Sequence, residues 1–450
     1  MKNERGTVKI IKIIEILFVL IIILLGVVIW LKFSNNKSDQ KVIANQNLNI
    51  SNEITENTIK PPIVQNTVKS QVAQTVDNNS FDFCFLKMEN EGKNMIYSPL
   101  SIKYALKMLQ EGAKENTLSQ IDKVTSKLSL TKYQNIDNVL SLANGVFVRE
   151  TFYSKVNPTY NNILASKYNA EILQDRFENA KNINQWIENK TLGIIKNMLN
   201  DQIVADADAK MVLVNALAID MEWKDRFDGN ATHGSPFYKE DGTQMQATTM
   251  SKETSENSIS YYLGEKTTAL KMNLKQYGKT NFEFVAIMPD EDLKQYVNNF
   301  SIDKMNEIDK NFKTADKEKD GVIVYIPKFS FDYDLKLKDD LIRLGITDAF
   351  DINLANFENM ANADEKLYVS DALHKANIDF TEKGVKAAAV TAFVMATGAM
   401  LEEPKQPVEI IINKPFMFLI RDKNTKDIWF TGTVYEPNNW EKDEMEYRGY

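Results

Sequence analysis

The hydrophobic positions change their spacing along the chain. In NMIYSPLSIKYALKMLQEGA (94–113), Ile102, Ala105, Leu106 and Leu109 recur at helical intervals. Ser98 stands where it can cap that helix, Pro99 suits its first turn, and Gly112 ends it. NINQWIENKTLGIIKNML (182–199) predicts a second helix, with Ile183, Trp186, Ile187 and Ile194 near one face. Residues 335–344 predict a short third one. LANGVFV (142–148) reads as a strand. MVLVNALAI (211–219) is almost wholly apolar and bounded by charge, which fits a central strand buried on both faces. Strand-like runs dominate the second half: FEFVAIMP (282–289), VIVYIPKFSF (322–331), VEIIIN (408–413), FMFLI (416–420) and IWFTGTV (428–434). Helices come early, strands late, and no internal repeat or regular βαβ alternation appears. The pattern predicts an α+β fold with a large mixed or antiparallel sheet.

One stretch, residues 378–416, fits none of these patterns cleanly. Glu382, Lys383 and Gly384 lead into a run with neither charge nor proline from Ala387 to Leu401, which Glu402, Glu403, Pro404 and Pro407 close. Spacing alone admits a buried helix. Gly398 and the many alanines admit a loop. Alternation admits a strand, with Val385, Ala387, Ala389, Thr391, Phe393 and Met395 on one face. The other face carries Lys386, Ala388, Val390, Ala392 and Val394, so the only charge lies there. No proline blocks ladder hydrogen bonds before Pro404.

The first residues are of another kind. Lys2, Arg5, Lys9 and Lys12 precede an apolar run, 13–30, of about the length a bilayer requires. No Ala-x-Ala-like cleavage site follows it. The expectation is a cytoplasmic segment at 1–12, a single-pass signal-anchor at 13–31 that leaves the bulk outside the cell, and a flexible polar tether at 32–70. As a coil that tether spans on the order of 35 Å. A globular domain follows at 71–437. The tail at 438–450 is polar, charged and expected to fray.

Composition narrows the function. A net charge of −8 over 450 residues argues against a nucleic-acid surface. One cysteine, Cys84, excludes an intramolecular disulfide, and its aromatic neighbours favour a buried structural thiol. His233 and His374 are the only histidines, which leaves no histidine-rich metal site. No G-x-S-x-G, H-E-x-x-H or G-x-x-x-x-G-K-[ST] motif is present. A Ser98/His374 pair is the sole hydrolase candidate. The chain reads as no enzyme, with no cofactor and no metal, and as a monomer.

NMIYSPLSIKYALKMLQEGAKENT, NINQWIENKTLGII, MVLVNALAIDMEWKDRF, SPFYKEDGT, VYIPKFSFDYDL, LGITDAF, VSDALHKANIDFTEKG, NKPFMFLI and FTGTVYEP together resemble the serpin family of serine protease inhibitors, in family order from about 71 to 437. The resemblance implies a large central sheet, two smaller sheets and eight or nine helices. It implies a reactive-centre loop at about 382–407, and inhibition by suicide: a protease cleaves the loop as substrate and is trapped as an acyl-enzyme when the cut loop inserts as a new strand. Some fourteen inserted residues at about 3.3 Å each would span roughly 45 Å.

The resemblance also assigns residues. The hinge comprises Glu382, Gly384, Val385, Lys386, Ala387, Ala388, Ala389 and Thr391. Val385 takes a place usually held by a smaller residue, and Lys386 replaces the usual glutamate. Lys328 and Glu382 match a pair at the top of the sheet, and Trp223 a nearby tryptophan. Ser98, Ser101, Asn215 and His374 match a polar cluster beneath the point where strands part. Family spacing sets the scissile bond at Gly398–Ala399, with Met395, Thr397 and Met400 as rivals. No Arg or Lys lies between Lys386 and Lys405, so the expected target is elastase-like or subtilisin-like rather than trypsin-like, or a cysteine protease. The alternative is a non-inhibitory serpin acting as an extracellular binding module.

Overall fold

The computed structural model describes residues 78–441 apart from 207, 255–257, 315–320, 363–366 and 386–406. The architecture is α+β, with nine α-helices and one large sheet among the described residues. That sheet has seven strands in the order β1 (Met95–Tyr97), β18 (Ile428–Val434), β17 (Phe416–Asp422), β10 (Phe282–Pro289), β9 (Thr267–Asn273), β8 (Ile259–Leu263) and β11 (Lys313–Thr314). The apolar runs of the second half supply its centre: β10, β17 and β18 are buried at every position.

Three smaller sheets accompany it among the described residues. One runs β16 (Val408–Ile411), β12 (Val322–Pro327), β7 (Gln244–Thr254), β6 (Thr232–Tyr238). Another runs β13 (Phe329–Leu335), β14 (His374–Phe380), β15 (Gly384–Val385), β5 (Met221–Glu222). The last runs β3 (Ala170–Asp175), β2 (Leu140–Arg149), β4 (Met211–Ile219).

Several elements differ from their sequence reading. The 322–331 run is not one strand: it leaves one sheet at Pro327 and joins another at Phe329, with Lys328 as the single residue between. The second helix is Lys181–Lys190; Leu192 and Gly193 then take positive φ, at 57° and 73°, and the helix cannot continue through them. The strand at 211–219 forms, but instead of a central strand it is, among the described residues, the outer strand of its sheet, laddered to β2 alone. Its two faces nonetheless bury. Leu217 and Ile219 join the main core, while Val214 and Ala216 pack into a second cluster with Ile183 and Ile187 of the Lys181–Lys190 helix. The tail after Pro437 does not fray at once, because Asn438 and Trp440 hydrogen-bond to the edge of the β6–β7 hairpin and to Lys328.

Candidate functional site

β14 ends at Phe380, and the chain turns back over Thr381–Lys383 to form β15. Val385 pairs with Phe380 of β14 on one side and Met221 of β5 on the other, antiparallel to both. The turn is tied by backbone bonds: Thr381 N–H to Gly384 O at 3.0 Å, Trp223 N–H to Lys383 O at 2.8 Å, and Phe227 N–H to Glu382 O at 3.0 Å. Gly384 fits because it has no side chain; a Cβ there would stand 2.0 Å from the Met221 carbonyl oxygen. Val385 is buried against the core.

Glu382 is held by three groups. Lys328 Nζ lies 3.0 Å from Oε2 and 3.1 Å from Oε1, and the Thr232 hydroxyl donates to Oε1 at 2.8 Å. Burial would raise the Glu382 pKa, but its backbone, Lys328 and Thr232 hydrogen bonds outweigh burial and hold it below the usual carboxylate range. Trp223 closes the mouth from within. Its Nε1 donates to Thr381 O at 2.8 Å, and its ring meets Phe380, Phe284 and Phe227 edge-on, with centroids 5.2, 5.9 and 6.5 Å away.

Deeper in, a chain of buried hydrogen bonds joins both halves of the fold. Ser98 N–H donates to His374 Nε2 at 2.9 Å, and Ser98 Oγ accepts from Ser101 N–H at 3.1 Å as the helix cap. Ser101 Oγ donates to Asn215 Oδ1, Asn215 Nδ2 to Asn144 Oδ1, and Asn144 Nδ2 to Tyr168 O at 2.7 Å. His374 belongs to β14 and Asn215 to β4, so the helix Pro99–Gly112 links the two strands from beneath. Burial lowers the His374 pKa to about 4, which keeps its imidazole neutral and Nε2 free to accept.

Between those strands lies a seam. Among the described residues no ladder joins β4 to β14. Leu217, Ala218 and Ile219 on one side and Asn377, Ile378 and Asp379 on the other line a small cavity of about 20 Å³, with Val385 at its end and Ile194 and Ile195 against it. A second, apolar cavity of about 150 Å³ lies at the other end of β4, against Val212, Leu213, Ala372 and Leu373. β14 and β5 both run antiparallel to β15, so the strands flanking the seam point the same way.

The structure therefore brings Glu382, Gly384, Val385, Lys328 and Trp223 together at the mouth, and Ser98, Ser101, Asn215 and His374 in one buried network. Lys386, Ala387, Ala388, Ala389, Thr391, Met395, Thr397, Gly398, Ala399 and Met400 lie outside the described residues, as does the apolar run at 13–30. Among the described residues no helix is long and apolar enough to cross a membrane. Sequence reasoning missed Asn144, Thr232 and Asn438. Asn144 had a signal, a lone amide inside an apolar strand; Thr232 and Asn438 had none. Burial, then the Asp82 charge, push the Cys84 thiol up in pKa, so it is a poor nucleophile.

Comparison with known proteins finds relatives over most of the chain. The family model described as "Serpin (serine protease inhibitor)" matches residues 77–437. A leukocyte elastase inhibitor of Xenopus tropicalis is 29% identical over 384 residues, covering 80% of this chain and 97% of the relative. Human alpha-1-antichymotrypsin is 30% identical over 380 residues, covering 79% and 86%. The native-state crystal structure of the thermophilic serpin tengpin superposes with a TM-score of 0.66 at 28% identity, over 86% of this chain and 97% of that one.

Proposed function

The chain belongs to the serpin family, and from that premise we propose that it is a suicide-substrate inhibitor of an extracellular protease. One observation carries the reading: Gly384 and Val385 already sit as a strand between β14 and β5, at the head of a seam that no ladder bridges among the described residues. Continuing that register sets Ala387 opposite Ile219 and Ile378, Ala389 opposite Leu217 and Ala376, and Thr391 opposite Asn215 and His374. The small residues thus pass between the apolar walls, and the one hydroxyl arrives level with the buried polar network. Phe393 follows opposite Leu213, beside the 150 Å³ apolar cavity. Lys386 falls on the opposite face from Val385 and keeps its charge outside.

The chemistry is the protease's own. Its serine or cysteine attacks the Gly398 carbonyl, an ester or thioester forms, and the bond to Ala399 breaks with the new amine leaving protonated. Insertion of some fourteen residues, from Val385 to Gly398, then draws the acyl-enzyme roughly 45 Å along the seam, at about 3.3 Å per residue. This chain supplies no catalytic group; it supplies a race between insertion and hydrolysis. The absence of Arg and Lys between Lys386 and Lys405 supports a target with a small or apolar pocket. The basic start and apolar run support a cell-surface anchor, with the domain outside on its tether. It acts as a monomer and needs no cofactor.

The test mixes the chain from residue 71 onward with elastase-like, subtilisin-like and trypsin-like proteases, followed by denaturing gels and mass measurement of the released peptide. A complex that survives denaturation with either of the first two, and a peptide starting near Ala399, is the expected result. Clean cleavage with no complex and no gain in heat stability would instead make the protein a binding module.

A further inference from the structure

Lys328 makes its ion pair from the one residue that separates two sheets, and its backbone is fastened from elsewhere. Its N–H donates to Thr248 O at 2.8 Å, and its carbonyl accepts the Asn438 N–H at 2.9 Å. Asn438 Oδ1 accepts the Ser330 N–H at 3.0 Å, and the Asn438 carbonyl accepts the Thr248 N–H at 2.9 Å. One asparagine therefore binds the chain at two points just after the Lys328 side chain, and Thr248 of β7, to which it is itself bonded, holds the chain just before it. The next two residues fasten it further: Thr248 Oγ1 donates to Asn439 O at 2.8 Å, and Trp440 N–H to Gln246 O at 2.9 Å. The Trp440 ring lies on Gly234 of β6, where a Cβ would stand 2.5 Å from the indole Cδ1. β6 begins at Thr232, the other side chain that holds Glu382. The segment after Pro437 thus touches the supports of both partners of Glu382.

We propose that Asn438 is a positioning residue for loop insertion. Residues 438–440 clamp the Lys328 backbone, and through the Lys328–Glu382 pair they set how readily the hinge leaves its two-residue seat for the seam. A partly exposed ion pair contributes little when both side chains must be ordered to make it. Fixing the backbone under one of them removes part of that cost. The inference rests on the insertion reading given above.

The experiment uses the full chain, uncleaved and without protease, and follows conversion to a heat-resistant inserted form on gentle warming. Asn438→Ala is expected to convert on the order of fivefold faster than the parent, the factor that accompanies one lost hydrogen bond of ordinary strength. In a Lys328→Ala background the same substitution is expected to add nothing, because the pair it positions is gone. Trp440→Ala, a second probe at the far end of the clamp, should accelerate conversion in the same direction. Conversion of Asn438→Ala at the parental rate overturns the clamp. So does an effect that adds in full to Lys328→Ala, since that marks a general loss of stability. If loop cleavage gives no heat-resistant form in any variant or in the parent, the insertion reading fails and the clamp with it.

Discussion

In the seven-strand sheet, β17 is buried at every position and laddered on both sides, to β10 and to β18. β4 is as apolar as β17 for most of its length, yet among the described residues it has a ladder to β2 alone, and β14 shares none with it. Burial and hydrogen bonding are separate achievements. In β17 they coincide. From Val214 onward β4 side chains are buried by two clusters of the core, while among the described residues one backbone edge has no strand partner. A strand in the seam would add on the order of ten ladder bonds at about 1 kcal/mol each. On the proposed insertion reading, that difference between the two regions is a store of free energy, with Gly384–Val385 at its mouth.

The broadest way to break the comparison is to cut the loop. Cleavage within 386–406 should raise the melting temperature by roughly 20 °C, because seam and seven-strand sheet then become alike. Calorimetry on intact and cut protein decides it; superimposable melts would remove the stored energy from the account. Next in size are two buried tryptophans, one in each region. Trp223→Ala and Trp429→Ala should each cost about 3–5 kcal/mol in denaturant titrations. Only the first should also alter the rate of insertion, since only Trp223 is bonded to the hinge turn.

His374 gives a pH-dependent probe of the parted region. Its folded pKa of about 4 lies below the ordinary value, so between pH 6.5 and 4 the unfolded chain binds a proton that the folded one does not. Stability should therefore fall with pH through that window, by about 3 kcal/mol for this group, and level off below it. His374→Gln should flatten the loss; an unchanged slope would mean the imidazole is not held neutral. Gly384→Ala should cost about 1–3 kcal/mol, as its methyl has no room beside the Met221 carbonyl. The expected signature is a hinge turned out of β15, seen as faster proteolysis after Val385. Smallest is Lys328→Ala, about 1 kcal/mol for a partly exposed pair, detectable as a midpoint shift without a change in m-value.

How much of this was legible in the sequence differs between the same two regions. The runs that became β10, β17 and β18 were read correctly because a run rich in aromatic, β-branched and other apolar residues is what a doubly buried strand requires. The run that became β4 looked identical, and nothing in it tells whether the neighbour is a strand or a space. In 322–331 the strand-forming composition continues across Lys328, and composition does not say which sheet a strand joins. The Ser98 cap and the helix after it were local and came through. The Asn215 partner did not: Asn144 sits opposite it only through a cross-strand register between residues far apart in the chain. Glu382, Lys328 and Trp223 were singled out by family likeness alone. Physical reasons appear only in space, where the mouth gathers segments near 223, 232, 328, 382 and 438.

Among the described residues no strand ladders to the facing edges of β4 and β14, which bears on how the protein can be kept. A strand edge with unpaired donors and acceptors is a template for any extended chain, including that of a neighbouring copy. Ile194 and Ile195 lie against the upper part of this seam, and the lower cavity is apolar. Self-association should therefore climb with concentration and mild heat well below the melting point. It should be suppressed by anything short and extended that fills the slot first. On the proposed cell-surface tether, spacing between molecules would become part of its shelf life.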